Sequence, residues 1–333
     1  MKEWLIILNL GMNQENFKIV LLLNSEQIYL WQFKIIEEIL KSPENKIEAI
    51  FIQEAFIYKA KKQVNTLFWQ FFERYFVKLK SKEIIKPTLF NSVPKHLVKP
   101  EKKGIKQVWK KEDIELIKSY KADLIIRFGF GILSGEILNS SKFGILSYHH
   151  GDPENYRGGP PAFWEILHGK KEAGIIIQIL SNKLDAGKIL VKENFKLSAH
   201  SYSESLDHLF LNSALLINKA LYQLKKQKFI PLNSIGKIYK SPNNINFIIF
   251  LAGLLINKIK IKYQNLFLQE IWAVAKIQEL KINDIIHNNS EILNPKWIES
   301  LPNSYYADPF PIKHNLLVEH YNYSKKLGKI ALL

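Results

Sequence analysis

Residues 124–190 read LIIRFGFGILSGEILNSSKFGILSYHHGDPENYRGGPPAFWEILHGKKEAGIIIQILSNKLDAGKIL, and most of the chain's unusual chemistry lies in this stretch. It contains three short apolar runs, at residues 123–128, 144–148 and 175–180, bounded by Gly, Pro and Asn. Such runs are typical of buried parallel strands. In open α/β sheets, ligands bind beyond the carboxyl ends of these strands. We therefore predict that the polar residues following the runs share one rim of a sheet.

Two residues at that rim are suited to proton transfer. His149 ends the second apolar run, and Asp185 lies in the loop after the third. A histidine can exchange a proton near neutral pH, and an acid can hold it in one tautomer. Taken singly, each has a plainer interpretation: His149 as a structural residue, and Asp185 as a turn residue before Gly187.

Arginine is scarce in this chain, and its distribution is uneven. There are three arginines among 47 basic residues, and two of them, Arg127 and Arg157, lie in this stretch. The planar arginine fork binds carboxylates and other oxygen acceptors in ways that a lysine cannot. Arg157 either contacts an anionic substrate or fastens the following loop to the sheet, and the sequence leaves both open.

The stretch resembles the formyltransferase family, which includes methionyl-tRNA and glycinamide ribonucleotide formyltransferases. His149, the segment Tyr156-Arg157-Gly158, Pro161 with Trp164, and Asp185 fall in order on the family's motifs. The resemblance is strong over residues 124–190 and extends more faintly back to residue 17. It implies a doubly wound, mostly parallel Rossmann-like α/β sheet, followed by a helical linker and a small C-terminal β segment. It also implies that His149 and Asp185 are catalytic.

Two departures from the family pattern concern the reacting centre. Ser147 stands where the family has its catalytic Asn, and Gly151-Asp152-Pro153-Glu154 replaces Ser-Leu-Leu-Pro. A serine hydroxyl offers one donor on a short arm, whereas an amide offers two donors and an acceptor. We expect Ser147, with a backbone N–H near Gly151, to meet the oxyanion that develops on a formyl group.

The resemblance also assigns binding roles. The formyl donor would be 10-formyltetrahydrofolate, and the residues expected to hold it are Phe130, Gly131, Ile132, Leu133, Ser181 and Lys183. The acceptor would meet His150, Asp152 and Arg157. His150 and Asp152 could instead ligate a metal, but ligands so close in sequence seldom share one ion, and we expect no metal site.

Composition limits the classes of function. A chain of 333 residues with 47% hydrophobic content can form one large domain and a smaller one. The absence of cysteine excludes disulfides and thiol nucleophiles, and it fits a cytoplasmic location. The net charge of +16 suggests nucleic acid or an anionic membrane as a partner. Because the lysines are dispersed along a chain rich in Ile and Asn, we favour a solvated surface and expect no specific nucleic acid.

We predict four divisions: an N-terminal extension over 1–16, a catalytic domain over 17–235, a helical linker region over 236–300 and a β segment over 301–333. The apolar run at 247–256 is about half of the ~20 residues that span a bilayer. A transmembrane span is therefore not expected, although peripheral membrane contact stays open.

The C-terminal segment has its own resemblance. Residues 307–311 read ADPFP and are followed by two apolar runs across a Ser-Lys-Lys-Leu-Gly turn. This is similar to the opening of a first blade in glycosidase-like β-propellers, a module that follows the formyltransferase domain in a divergent branch. One blade cannot close a propeller. We therefore interpret 301–333 as a truncated first blade, with a hairpin that joins another sheet as the alternative.

The leading hypothesis is formyl transfer to a primary amine, with an amino sugar or nucleotide sugar as acceptor. The alternative is a catalytically decayed formyltransferase fold that serves as a carbohydrate-binding or scaffold protein. Ser147 favours that alternative, and the retained His149 and Asp185 oppose it. Nucleic-acid binding is a third, weaker hypothesis that depends on the net charge alone.

Overall fold

The computed structural model describes residues 17–54, 64–104, 106–182, 187–267, 272–276, 296–312 and 315–333. The predicted N-terminal extension lies outside these ranges. The chain divides into two compact units, Met1–Ile259 and Lys260–Leu333. The predicted boundaries at 235 and 300 stay predictions.

A seven-stranded sheet forms the centre of the first unit. Its order is β7-β6-β5-β4-β1-β2-β3, for the strands β1 (Lys18–Leu23), β2 (Lys46–Gln53), β3 (Lys95–Val98), β4 (Leu124–Arg127), β5 (Ile145–His149), β6 (Glu172–Ile179) and β7 (Lys188–Lys196). Strands β1 to β5 are parallel. At one edge of the sheet, β6 pairs antiparallel with β5, and β7 pairs antiparallel with β6. The three apolar runs singled out above form β4, β5 and most of β6. The prediction of a mostly parallel sheet is confirmed.

Helices cover the sheet on both faces because successive strand residues point in opposite directions. In β1, Ile19 and Leu21 enter one apolar cluster, and Val20 and Leu22 enter the other. The first cluster also holds residues of α1 (Leu30–Leu40), α2 (Leu67–Tyr75), α4 (Phe163–Leu167), α5 (Tyr202–Asn212), α6 (Ile217–Lys225) and α7 (Asn244–Phe267), and the second holds residues of α3 (Lys111–Ser119). The sheet is therefore doubly wound, as predicted.

Short strand pairs fasten the loops around the rim. Tyr156–Gly158 pairs in parallel with Lys237–Tyr239. Ile132–Ser134 joins the small sheet of Glu101–Lys103 and Lys106–Val108. Ile28–Tyr29 pairs with Ile84–Ile85 at the start of α1. The loops at the site therefore carry backbone hydrogen bonds of their own.

Helix α7 is longer than the apolar run from which it was predicted. It has 24 residues, and Phe247, Phe250 and Leu254 on one side are buried in the first unit. By length and composition alone it could cross a membrane, with a mean hydropathy of 1.5 in its best window. Our argument from length against a span is therefore wrong, because the helix continues past residue 256.

The second unit is a small β structure. β8 (Val274–Lys276) pairs with β9 (Lys296–Ile298), and β10 (Ser304–Ile312), β11 (Asn315–Asn322) and β12 (Leu327–Leu332) form an antiparallel sheet. Val274, Tyr306 and Val318 are buried together in it. The predicted β segment is confirmed, with a third strand added to the expected hairpin. Its propeller-blade interpretation stays a prediction.

Candidate active site

A cavity of about 390 Å³ opens where β4 and β5 end. This volume is within the usual range for small-molecule sites. Five of the predicted site residues line it: Ile132, Leu133, Ser147, His149 and Ser181. The structure thus brings two of the three predicted catalytic residues and three of the six predicted donor-binding residues to one place.

The sheet register explains why these side chains converge. Ser147 and His149 are two residues apart on β5, so they project to the same face. Ser147 lies opposite Arg127 of β4 on one side and Gln178 of β6 on the other. Arg127, Ser147 and Gln178 therefore form a polar row across three strands, and all three line the cavity.

Within that row, the Arg127 guanidinium is held by two hydrogen bonds. Its Nη1 donates to Ser147 Oγ at 2.9 Å, and its Nη2 donates to the Phe130 carbonyl at 3.2 Å. Its Nε is buried without a hydrogen-bond partner. Burial lowers the pKa of Arg127, and no carboxylate in the described part of the chain offsets that burial. Sequence reasoning missed Arg127 and Gln178 as site residues; for Arg127, the scarcity of arginine was the signal that could have identified it.

Gly151 leaves space for the His149 ring. A Cβ at Gly151 would lie 3.0 Å from His149 Nε2 and 2.7 Å from the Tyr156 carbonyl oxygen. Any larger residue there would displace the ring or the following turn. His149 also borders a small adjoining void, of about 10 Å³, together with Arg157 and Gln178. A void of this size has room for about one water molecule.

His150 faces the other way. Its Nε2 lies 2.8 Å from Ser213 Oγ, and its ring packs against Phe210 and Trp31 at centroid distances of 4.4 and 5.4 Å. Burial, with the nearby His149 and Lys82, lowers the pKa of His150 to about 3. The structure does not bring His150 to the cavity of His149, so its predicted contact with the acceptor has no geometric support.

Asp152 organises the turn after β5. Its carboxylate accepts hydrogen bonds from Asn155 Nδ2 at 2.5 Å and from the Glu154 N–H at 3.1 Å, and it pairs with Lys192 Nζ at 2.9 Å. Burial alone would raise the pKa of Asp152, but these bonds outweigh it and lower the pKa. Asp152 lines a second cavity, of about 400 Å³, with Tyr156 and Glu165. The predicted contact of Asp152 with the acceptor would therefore have to occur in that second cavity.

Glu165 adds an unforeseen titratable group to the second cavity. Its side chain is 3% exposed. Burial, reinforced by the charge of Asp152, raises the pKa of Glu165 to about 7. At neutral pH this carboxyl group is therefore divided between its neutral and charged forms.

The Tyr156-Arg157-Gly158 segment is a strand rather than a free loop. Arg157 lies opposite Ile238, and its Nη1 donates to the Gly236 carbonyl at 3.4 Å. Gly158 has φ +85°, and a Cβ there would lie 2.2 Å from the Tyr239 carbonyl oxygen, so only glycine fits. These contacts support the interpretation of Arg157 as a fastening for the loop, while contact with an acceptor stays a prediction.

The other residues predicted to bind the formyl donor either do not line the first cavity or lie outside the described residues. Phe130 presents its carbonyl to Arg127 while its ring packs against Trp109 at 5.0 Å, away from the cavity lining. The Gly131 N–H donates to Gln107 Oε1 at 2.9 Å. Lys183 and Asp185 lie outside the described residues, so the pairing of Asp185 with His149 stays a prediction. Among the described residues there is no group of three or more potential metal ligands.

The comparisons with known proteins point to one family. Residues 80–215 match the formyl transferase family. The methionyl-tRNA formyltransferase of Finegoldia magna is 32% identical over 151 residues, which are 43% of this chain and 49% of that protein. That of Fusobacterium nucleatum is 28% identical over 193 residues, which are 53% of this chain and 60% of that protein. The chain thus spans about half the length of these curated relatives.

One solved structure is similar to this chain at low sequence identity. Glycinamide ribonucleotide transformylase 1 from Symbiobacterium toebii superposes with a TM-score of 0.45 and 15% identity, over 68% of this chain and 100% of that one.

Proposed function

We propose that this chain, whose residues 80–215 form a formyl transferase domain, transfers a formyl group from 10-formyltetrahydrofolate to a primary amine. One observation carries the proposal. Within that domain, Ser147 and His149 project from alternate positions of β5 into a single cavity of about 390 Å³. A decayed fold would have no need to retain a histidine in this cavity.

The chemistry assigned to His149 follows from the proton balance of the reaction. The attacking amine must lose a proton, and the folate nitrogen must gain one before it leaves. One histidine side chain can accept the first proton and supply the second. Asp185 would keep His149 in the required tautomer.

The walls of the cavity suit the proposed donor. Ile132, Leu133 and Leu180 offer apolar contacts, and Ser181 and Asn182 offer hydrogen-bonding groups. A flat heteroaromatic ring with polar edges needs this combination. When bound, the folate supplies the formyl group and the leaving nitrogen; the protein supplies orientation, proton transfer and donors to the developing oxyanion.

For the acceptor we propose an amino sugar or nucleotide sugar. The short strand Tyr156–Gly158 borders both cavities: Gly158 lines the first, and Tyr156 lines the second beside Asp152, Asn155 and Glu165. Carboxylate, amide and phenol groups are the partners that sugar hydroxyls require. Methionyl-tRNA is the competing acceptor, and the curated relatives and the net charge of +16 favour it.

The test is formyl transfer by the full chain. The protein is incubated with the formyl donor and, separately, with nucleotide amino sugars, free amino sugars and methionyl-tRNA, and mass spectrometry detects the added formyl group. His149→Gln should lower kcat by about 10²-fold or more, because it removes the proton-transfer group. His208→Gln, on an exposed position of α5, is the matched control and should leave kcat unchanged. Failure to bind any formyl-folate, with no transfer to any acceptor, would favour the scaffold alternative.

A further inference from the structure

The Arg127 guanidinium has more hydrogen-bond donors than it has partners among the residues that the structure describes. It carries five N–H donors. Its Nη1 and Nη2 each donate once, to Ser147 Oγ and to the Phe130 carbonyl, and its Nε is buried without a partner. No carboxylate in the described ranges faces this buried cation. An uncompensated buried charge lowers stability, so its position beside a cavity calls for a function.

The Ser147 hydroxyl is left with a proton to donate. Its oxygen accepts from Arg127 at 2.9 Å, and its best acceptor in the described part of the chain is the Tyr148 carbonyl at 3.4 Å. A hydroxyl donor normally prefers an acceptor within about 3.0 Å. The charge on Arg127 also makes this hydroxyl a stronger donor, because hydrogen-bonded groups polarise one another. Ser147 can therefore turn its proton toward a group in the cavity.

We infer that Arg127 and Ser147 together form the donor pair for the oxyanion of formyl transfer, with Arg127 supplying the charge and Ser147 the proximal hydrogen bond. The inference rests on the proposed function and deepens it. It also accounts for the departure at Ser147: a short hydroxyl backed by a guanidinium stands where related formyltransferases carry an amide.

The step balances with the groups already named. The amine lone pair forms the new bond to the formyl carbon, and the carbonyl electron pair moves to the formyl oxygen, where Ser147 and Arg127 stabilise it. His149 takes the amine proton. When the electron pair returns, the bond from the formyl carbon to the folate nitrogen breaks, and that nitrogen receives the proton from His149.

Arg127 is held in place before any ligand binds. The Phe130 carbonyl that accepts from its Nη2 belongs to a residue with φ +64°, a conformation that an aromatic residue rarely adopts. The Phe130 N–H donates to Asn24 Oδ1 at 2.8 Å. A Cβ at Gly129 would lie 2.5 Å from the Asn24 backbone nitrogen, so glycine is required there. Strain of this kind is typical of sites where a donor must be fixed in advance.

The first test is Arg127→Met in the full chain. We expect kcat to fall about 10²-fold, as for loss of an oxyanion donor. Affinity for 5-formyltetrahydrofolate, measured by calorimetry, should change by less than about threefold, since the charge acts on the transition state. The Tm should stay the same or rise, because the variant removes a buried charge that no carboxylate of the described residues offsets. Arg74→Met, on the exposed face of α2, is the matched control.

The second test is rescue. Adding Ser147→Asn to the Arg127→Met variant should raise kcat at least about tenfold above that of Arg127→Met alone. The reason is that the amide supplies two hydrogen-bond donors near the position of the lost guanidinium. A purely structural role for Arg127 predicts a lower Tm and no rescue. A kcat within about threefold of wild type for Arg127→Met would overturn the assignment.

The two proposals fail in different ways. If the wild type binds the folate but formylates no amine, the rate at which it hydrolyses the donor with water is measured instead of formyl transfer. The same variants are then compared by that rate. If the wild type neither binds nor turns over the folate, the proposed function fails, and the role of Arg127 fails with it. A working wild type with an unaffected Arg127→Met variant overturns the role of Arg127 alone.

Discussion

At the scale of single residues, two neighbouring histidines at the end of β5 have different environments. His149 faces the cavity, whereas the half-buried His150 packs against Phe210 and lies within hydrogen-bonding distance of Ser213. One step along the chain therefore separates the proposed proton-transfer group from a residue that packs against aromatic rings.

The low pKa of His150 predicts a loss of stability in acid. Its folded-state pKa of about 3 lies below the ordinary 6.5, so between these values the unfolded chain binds the additional proton. The contribution is complete above pH 6.5 and is lost as the pH falls toward 3. Between pH 7.5 and pH 5, urea unfolding should show a loss of about 2 kcal/mol from this group.

His150→Gln should show a smaller loss over the same pH range, whatever its absolute stability, and the exposed variant His208→Gln should behave as wild type. Equal pH dependence in wild type and His150→Gln would contradict the assignment.

The raised pKa of Glu165 predicts the opposite dependence of stability on pH. Its folded-state pKa of about 7 lies above the ordinary 4.5, so the folded protein binds the additional proton between these values. Stability therefore declines as the pH rises from 4.5 through 7. Glu165→Gln keeps a neutral side chain of the same size, and its free energy of unfolding relative to wild type should increase by up to roughly 3 kcal/mol between pH 5 and pH 8. A difference that does not change with pH would show that the carboxyl group titrates normally.

At the scale of elements, the site depends on a contact between the end of β1 and the loop after β4. Asn24 follows β1, and its Oδ1 accepts from the Phe130 N–H at 2.8 Å. The loop then continues into Ile132–Ser134, whose Ile132 and Leu133 line the cavity. A residue more than a hundred positions upstream thus shapes the proposed donor site.

Asn24→Ala should weaken donor binding more than it slows the chemistry. Losing one hydrogen bond costs about 0.5–1.5 kcal/mol, which corresponds to a two- to tenfold higher donor KM. The kcat should change little, since Arg127, Ser147 and His149 keep their strand positions. Asn24→Asp retains the oxygen acceptor and serves as the control. A large fall in kcat with an unchanged KM would place Asn24 in the chemical step.

At the scale of the whole molecule, the first cavity belongs to one unit. Its lining residues all lie between Lys106 and Ile238, within Met1–Ile259. Ending the chain after Phe267, the last residue of α7, removes the described β strands of the second unit. The affinity for formyl-folate should then stay within about twofold of that of the full chain. Loss of donor binding would show that the second unit contributes to the site.

The sequence by itself determined the kind of molecule. The apolar runs in residues 123–180 predicted β4, β5 and β6, and the ordered motifs from His149 to Trp164 predicted the formyl transferase domain. These features are local, since a strand is recognised by its own length and apolar content. The end of α7 was missed because polar residues such as Asn257 and Lys258 continue a helix without extending its apolar run.

Only the tertiary structure decided how the site is assembled. The sequence did not show that Arg127 lies beside Ser147, that His150 packs against Phe210, or that Asp152 and Glu165 share a separate cavity. Each outcome depends on which strands become neighbours and in which register they pair. Register is set by the burial of apolar residues from the whole sheet, and it places side chains that are distant in sequence within hydrogen-bonding distance.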